Sequence, residues 1–269
     1  MRSGRRSSVC DVAYNREVKG IQNDIHIAWQ GIRTAIAQMD PSSQVRPANA
    51  TDIFSPDGAS AEPKFNVGPV VFHLPERASD ATRARRPSAT NAGESKLYIA
   101  ISGWLCFGVP LATDARRTTL RFGTQVGYFR VKGNQLVHIY GVHYDMDEKL
   151  PAHPVFHGQM SSQVEFGTHV SRLFHLQLDI GDDLPGALLR NVRTPTAQMD
   201  VFSVITQIGA DHLVSEASGP EVHAAFTQLR ESCDFFMGAA GRLASLNSLP
   251  ATHCYRSTHW YVRKETEVA

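Results

Sequence analysis

The chain has 269 residues, and its 27 Lys and Arg against 26 Asp and Glu leave a net charge of +1. That balance speaks against a dedicated nucleic-acid coat protein or a membrane-surface binder, both of which carry a large charge excess. Its 42% hydrophobic content excludes wholesale disorder, because it is enough to build a sizeable core. Cys10, Cys106, Cys233 and Cys254 are scattered along the chain with no C-x-x-C pair, which points to a reducing compartment. The basic start of the chain lacks the apolar region of a signal peptide. The most apolar stretch, 97–112, is broken by Ser102, Gly103 and Pro110. The expectation is a soluble cytoplasmic protein that does not engage a membrane.

Residues 11–39 carry the clearest helical period. Val18, Ile21, Ile25, Ala28, Ile32, Ile36 and Met39 recur at spacings of three and four, and Asp40-Pro41 stops the helix. Residues 41–95 are rich in proline and predict largely loop, with one strand at 70–74. Within that loop Arg77, Arg83, Arg85 and Arg86 sit among small polar residues, as in a solvated loop or a phosphate-holding one. Residues 97–109 then read as a buried strand and 118–130 as a second. Lys132-Gly133-Asn134-Gln135 supplies a tight hairpin turn into a third strand at 136–144. Two further strands are expected near 154–159 and 173–180. The last third turns helical: 200–216 has a helical apolar period, and Pro220 opens a helix expected to reach about residue 246. The sum is a single α+β domain over 1–269, with a long N-terminal helix, an antiparallel sheet core at 97–180 and C-terminal helices at 200–247.

The chemistry concentrates in one segment. Of 12 histidines, six (His138, His143, His153, His157, His169 and His175) fall between 138 and 175. Side chains two apart on a strand share a face, so His143 and Asp145 point the same way. Pro151 and Pro154 disfavour helix around His153 and His157. If the two strands are neighbours, a His–Asp pair faces a His–His pair. Paired imidazoles serve as acid and base near neutral pH. Two His and a carboxylate equally suit a divalent metal. A third reading leaves them as hydrogen-bonded sheet histidines, with Asp145 capping a turn.

Downstream, Arg190 and Arg193 precede Thr196 and Asp200, either of which can cap a helix whose N-terminus attracts anions. Arg193 could instead pair with Asp182-Asp183. Near the C-terminus, His253, Cys254 and His259 offer metal-ligand types, but with Trp260 they read rather as an aromatic tail packed on the sheet. No Gly-rich phosphate loop is present, so no nucleotide cofactor is expected.

The run Tyr144-Asp145, His153-Pro154-x-x-His157 and Arg193-x-Pro195-Thr196 resembles uncharacterised prokaryotic proteins with a strand ending in Tyr-Asp, an H-P-x-x-H segment and an R-x-P turn. Its Tyr-Asp and paired-His part is similar to the TumE type of toxin–antitoxin proteins. The resemblance spans about residues 120–215 and implies a bacterial protein of the mobile-element or defence kind, acting on RNA or nucleotides.

The leading expectation is a hydrolytic or phosphodiester-cleaving site that needs no cofactor. His143 and His157 form its acid–base pair, Asp145 orients an imidazole and Arg193 stabilises the developing charge. Arg83, Arg85, Arg86 and Arg190 bind substrate. In a divalent-metal variant the ligands are His143, Asp145, His153 and His157. The contrasting expectation is a non-catalytic interaction module that binds a partner, or dimerises, through residues 11–39. It requires the apolar stripe at 18–39 to be exposed.

Overall fold

The computed structural model describes residues 7–58, 62–75, 96–108, 117–146, 156–184, 192–234 and 236–237. Helix α1 (Ser7–Met39) follows the predicted period. Its stripe is covered by the chain itself: Ile21, Ile32 and Ala35 are wholly buried, and Val18, Ile25, Ala28, Ile36 and Met39 nearly so. Each Val, Ile or Met of the stripe contributes about 1.5–3 kcal/mol by leaving water. The stripe is therefore spent on the core and not available to a partner or a second copy, which removes the interaction-module expectation built on residues 11–39.

The segment expected to be loop carries more structure than predicted. Strands β1 (Gln44–Arg46) and β2 (Phe54–Pro56) flank a short 3-10 turn, and β3 runs the full length of Lys64–Pro75. Most prolines there end or border strands, and Pro69, inside β3, sits at the register shift between Val67 and Val70 where the ladder is interrupted. Strand β4 (Lys96–Phe107), β5 (Arg117–Lys132) and β6 (Gln135–Met146) form the antiparallel centre. The predicted hairpin joins β5 to β6, with Gly133 at φ +59°, a conformation that costs glycine least. Strand β7 (Phe156–Met160) pairs antiparallel with the second half of β6.

Residues 173–180 are not the single strand expected. Helix α2 (Phe166–Phe174) ends at His175, whose left-handed backbone (φ 52°) terminates it. Only β8 (Asp179–Asp182) extends from this region, running parallel to the first half of β6. Phe174, Leu176, Leu178 and Ile180 alternate like a strand in sequence. The helical spacing of Phe166, Val170 and Leu173 wins upstream because it places those side chains on a second apolar cluster with Val71, Tyr98, Ala100, Phe129 and Leu136. Strand β9 (Arg193–Pro195) closes the sheet, whose order is β1-β3-β4-β5-β6-β7-β9.

Helix α3 (Val201–His212) and helix α4 (Pro220–Cys233) pack with α1 over the other sheet face. Asp200, not Thr196, caps α3, accepting from the backbone N–H of Phe202 and Ser203 at 3.0 Å each. Helix α4 stops at Cys233, short of residue 246, and Phe236–Met237 form a two-residue strand, β10, beside β5. The aromatic tail at 253–261 lies outside the described residues. The architecture is α+β: one large, mainly antiparallel sheet with the long N-terminal helix and the C-terminal helices on one face, and α2 on the other. No helix among the described residues is long and apolar enough to cross a membrane.

Candidate functional site

The pleat decides which β6 side chains meet. Val142 and Tyr144 turn into the core beneath α1, α3 and α4. Gly141, His143 and Asp145 therefore face the α2 side. Gly141 is needed there, since a Cβ would lie 2.2 Å from the Ser161 carbonyl, where residues 161–163 cross the sheet. The Ser161 N–H donates to the Gly141 carbonyl at 3.0 Å. Beyond this crossing the same face carries polar side chains.

In the β6–β7 ladder Asp145 stands opposite His157, and His143 opposite Gln159. Three of the predicted residues thus converge. His143 Nε2 donates to Asp145 Oδ2 at 2.9 Å, and His157 Nε2 lies 2.8 Å from Asp145 Oδ1. The second contact is an ion-pair approach to the other carboxylate oxygen. The two imidazole rings stand nearly perpendicular, with centroids 6.1 Å apart. One donor atom from each of the three residues lies within 4.8 Å of the others, the geometry of a two-His, one-carboxylate metal centre.

Burial separates the roles. His157 is 1% exposed, whereas the side chains of His143 and Asp145 are 31% and 35% exposed. Partial burial works to raise the Asp145 pKa, but the two imidazoles at hydrogen-bonding distance outweigh it and hold the carboxyl well below the usual range. Asp145 therefore stays ionised at neutral pH and favours a protonated or N–H-donating partner on each oxygen.

Arg193 sits on β9 opposite Gln159, which is itself opposite His143. Directly paired residues share a face, so Arg193 and His143 lie on one side of the sheet with two strand spacings, roughly 10 Å, between their backbones. Arg193 is exposed and pairs with no carboxylate among the described residues. The acidic turn suggested as its partner is engaged elsewhere. Asp182 accepts from Ser162 Oγ at 2.9 Å and meets His138 Nδ1 at 3.0 Å, while Asp183 pairs with Lys132.

No family model, curated protein or solved structure matches this chain. The site is thus read from its own chemistry. Arg83, Arg85, Arg86, Arg190 and His153 lie outside the described residues, so the described metal donors are three rather than four. The His138–Asp182 pair escaped the sequence reading. His138 is wholly buried, and it pins β8 to β6 where the two strands pair. Its burial inside an apolar strand was the available signal for a structural role. Cysteine chemistry has no support among the described thiols: burial raises Cys106, and pushes Cys233 up to about 12, which keeps both as thiols.

Proposed function

We propose that the His143–Asp145–His157 cluster is a hydrolytic site for phosphate esters, with RNA or nucleotides as substrates. The observation that carries this reading is the aligned 2.9 Å bond from His143 Nε2 to an ionised Asp145. That bond fixes the tautomer, so His143 Nδ1 carries the lone pair that takes a proton from an attacking hydroxyl as the phosphorus–oxygen bond to the leaving group breaks, the leaving oxygen taking its proton from solvent. Asp145 orients the ring and stabilises the imidazolium that forms. His157, too buried to exchange a proton with substrate, holds Asp145 from behind. This changes its role from the second acid–base group to a positioning residue. Arg193, in the same cross-strand row, holds the phosphate and offsets the charge that develops on it.

The motif resemblance adds a context to this chemistry: a bacterial protein of the defence or toxin–antitoxin kind, working in the cytoplasm. The free, buried thiols of Cys106 and Cys233 are in keeping with a reducing compartment. A bacterial host expressing the wild-type chain is expected to slow its growth and lose RNA integrity. His143→Gln at matched soluble level is expected to do neither. Equal growth and intact RNA in both strains, together with no hydrolysis of a model phosphodiester by the purified protein, would sink the reading.

A second reading is favoured by the convergence of three ligand-type side chains: His143, Asp145 and His157 each offer one donor atom within 4.8 Å of the others. In that case His143, Asp145 and His157 would hold a divalent transition metal, which would supply Lewis-acid activation of water and phosphate there.

A further inference from the structure

At the other end of the sheet, four strand steps from β6, a cavity of about 660 Å³ opens between α1, β1 and the end of α2. Arg33 from α1, Arg46 from β1, and Arg172 and His175 from the end of α2 all line it, and among the described residues no Asp or Glu does. In a chain with a net charge of only +1, this is a local excess of positive charge.

Each guanidinium is held without being neutralised. Arg33 Nη1 donates to the Ala48 carbonyl at 3.1 Å, and Arg46 Nη1 to the Leu173 carbonyl at 2.9 Å. Arg46 also lies 5.1 Å from the centroid of the Phe174 ring, and Arg172 Nη2 donates to His169 Nδ1 at 3.1 Å. Among the described residues none of the three forms an ion pair with a carboxylate. The C-terminus of α2 supplies about half a negative charge. That is too little to balance three guanidinium groups. Neutral contacts thus fix the arginines while most of their N–H donors remain unused, and the fork of donors on each matches phosphate oxygens. The volume falls in the range of small-molecule sites, roughly 300–1,000 Å³. Val45 and Pro47 add an apolar wall.

We propose that this cavity binds a phosphate-bearing small molecule of nucleotide size. The inference does not rest on the hydrolytic reading, because it concerns different residues at a different edge of the sheet. Calorimetric titration of the full chain with inorganic tripolyphosphate, ATP and adenosine at physiological salt tests it. Both anions are expected to bind and adenosine alone is not. Tighter binding of ATP assigns the ligand as a nucleotide, and equal binding assigns an inorganic phosphate chain.

The double variant Arg33→Gln/Arg172→Gln is expected to weaken binding by about tenfold or more, since each lost charged hydrogen bond removes much of that alone. Its fold is protected because Trp29 Nε1 still donates to the Ala48 carbonyl at 3.0 Å. Arg33→Lys/Arg172→Lys is expected to recover part of the loss. His143→Ala is expected to bind as wild type does, which keeps this site separate from the histidine cluster. Absence of binding by both anions to the folded wild-type chain overturns the proposal. So does affinity that is unchanged in the Gln variant, or lost in His143→Ala.

Discussion

His143 and His157 occupy the two oxygens of one carboxylate, Asp145, yet only His143 reaches solvent. The two imidazoles therefore differ in what their loss does. His143→Gln is expected to leave stability within about 0.5 kcal/mol, as surface substitutions do, while lowering turnover by about 10²-fold or more. His157→Ala leaves a cavity and strips a partner from a half-buried carboxylate, which is expected to cost about 2–4 kcal/mol. Urea denaturation of both variants beside a phosphodiesterase assay separates the cases. A His157→Ala protein as stable as wild type would show that His157 does not anchor the cluster.

The acid limb of stability follows from Asp145. Its folded pKa lies below the ordinary value of 3.8, so the native state resists protonation more than the unfolded chain does. The stability this supplies is complete above the unfolded pKa and disappears as pH falls through it toward the lower folded value. With a third of the side chain exposed, the amount is of order 1 kcal/mol or less. Melting temperatures of wild type and Asp145→Asn, measured from pH 6 down to pH 3, are expected to converge as the acid limb is reached. Comparing the two variants cancels the opposite trend of Asp200, which burial raises against its cap hydrogen bonds. Parallel curves would remove Asp145 from the acid response.

Arg193 offers a test that spares the fold. Its side chain is exposed, so Arg193→Gln is expected to melt with wild type. If it holds the substrate phosphate, losing a charged hydrogen bond of about 1.5–3 kcal/mol raises KM roughly tenfold or more. Steady-state kinetics on a short RNA is the measurement. An unchanged KM would place the phosphate elsewhere.

The sequence made the helices and the hairpin legible where one period dominated: the α1 stripe from Val18 to Met39, Gly133-Asn134 at the turn, and Pro220 at the start of α4. It also brought His143 and Asp145 to one face, because strand alternation is local. The partner of Asp145 was not legible in that way. Placing His157 opposite Asp145 depends on the β6–β7 register, a long-range pairing that spacing alone does not set. The strand expected at 173–180 was misplaced for a related reason. Phe174, Leu176, Leu178 and Ile180 satisfy a strand period, and only the apolar cluster beneath α2 decides against it. Burial was likewise invisible, and it is burial that divides the labour between His143 and His157.

Metal binding is the prediction that separates the two chemistries of the cluster. One donor atom each from His143, Asp145 and His157 lies within 4.8 Å of the others, close enough for one ion to meet all three after a small adjustment. Imidazole and carboxylate donors suit Zn²⁺, Fe²⁺ and Co²⁺ over Ca²⁺. Co²⁺ added to chelator-treated protein is therefore expected to give visible absorption that saturates at one ion per chain, and Zn²⁺ to displace it. His143→Gln and Asp145→Asn, each still folded, are expected to lose the signal. Binding also requires the ligands to be deprotonated, so affinity is expected to fall as the pH is lowered. If the wild-type chain shows no saturable absorption while His143→Gln abolishes phosphodiester cleavage, proton transfer by His143 is the chemistry of the site. If absorption saturates and cleavage requires the ion, the three side chains serve as metal ligands and His143 is not the general base.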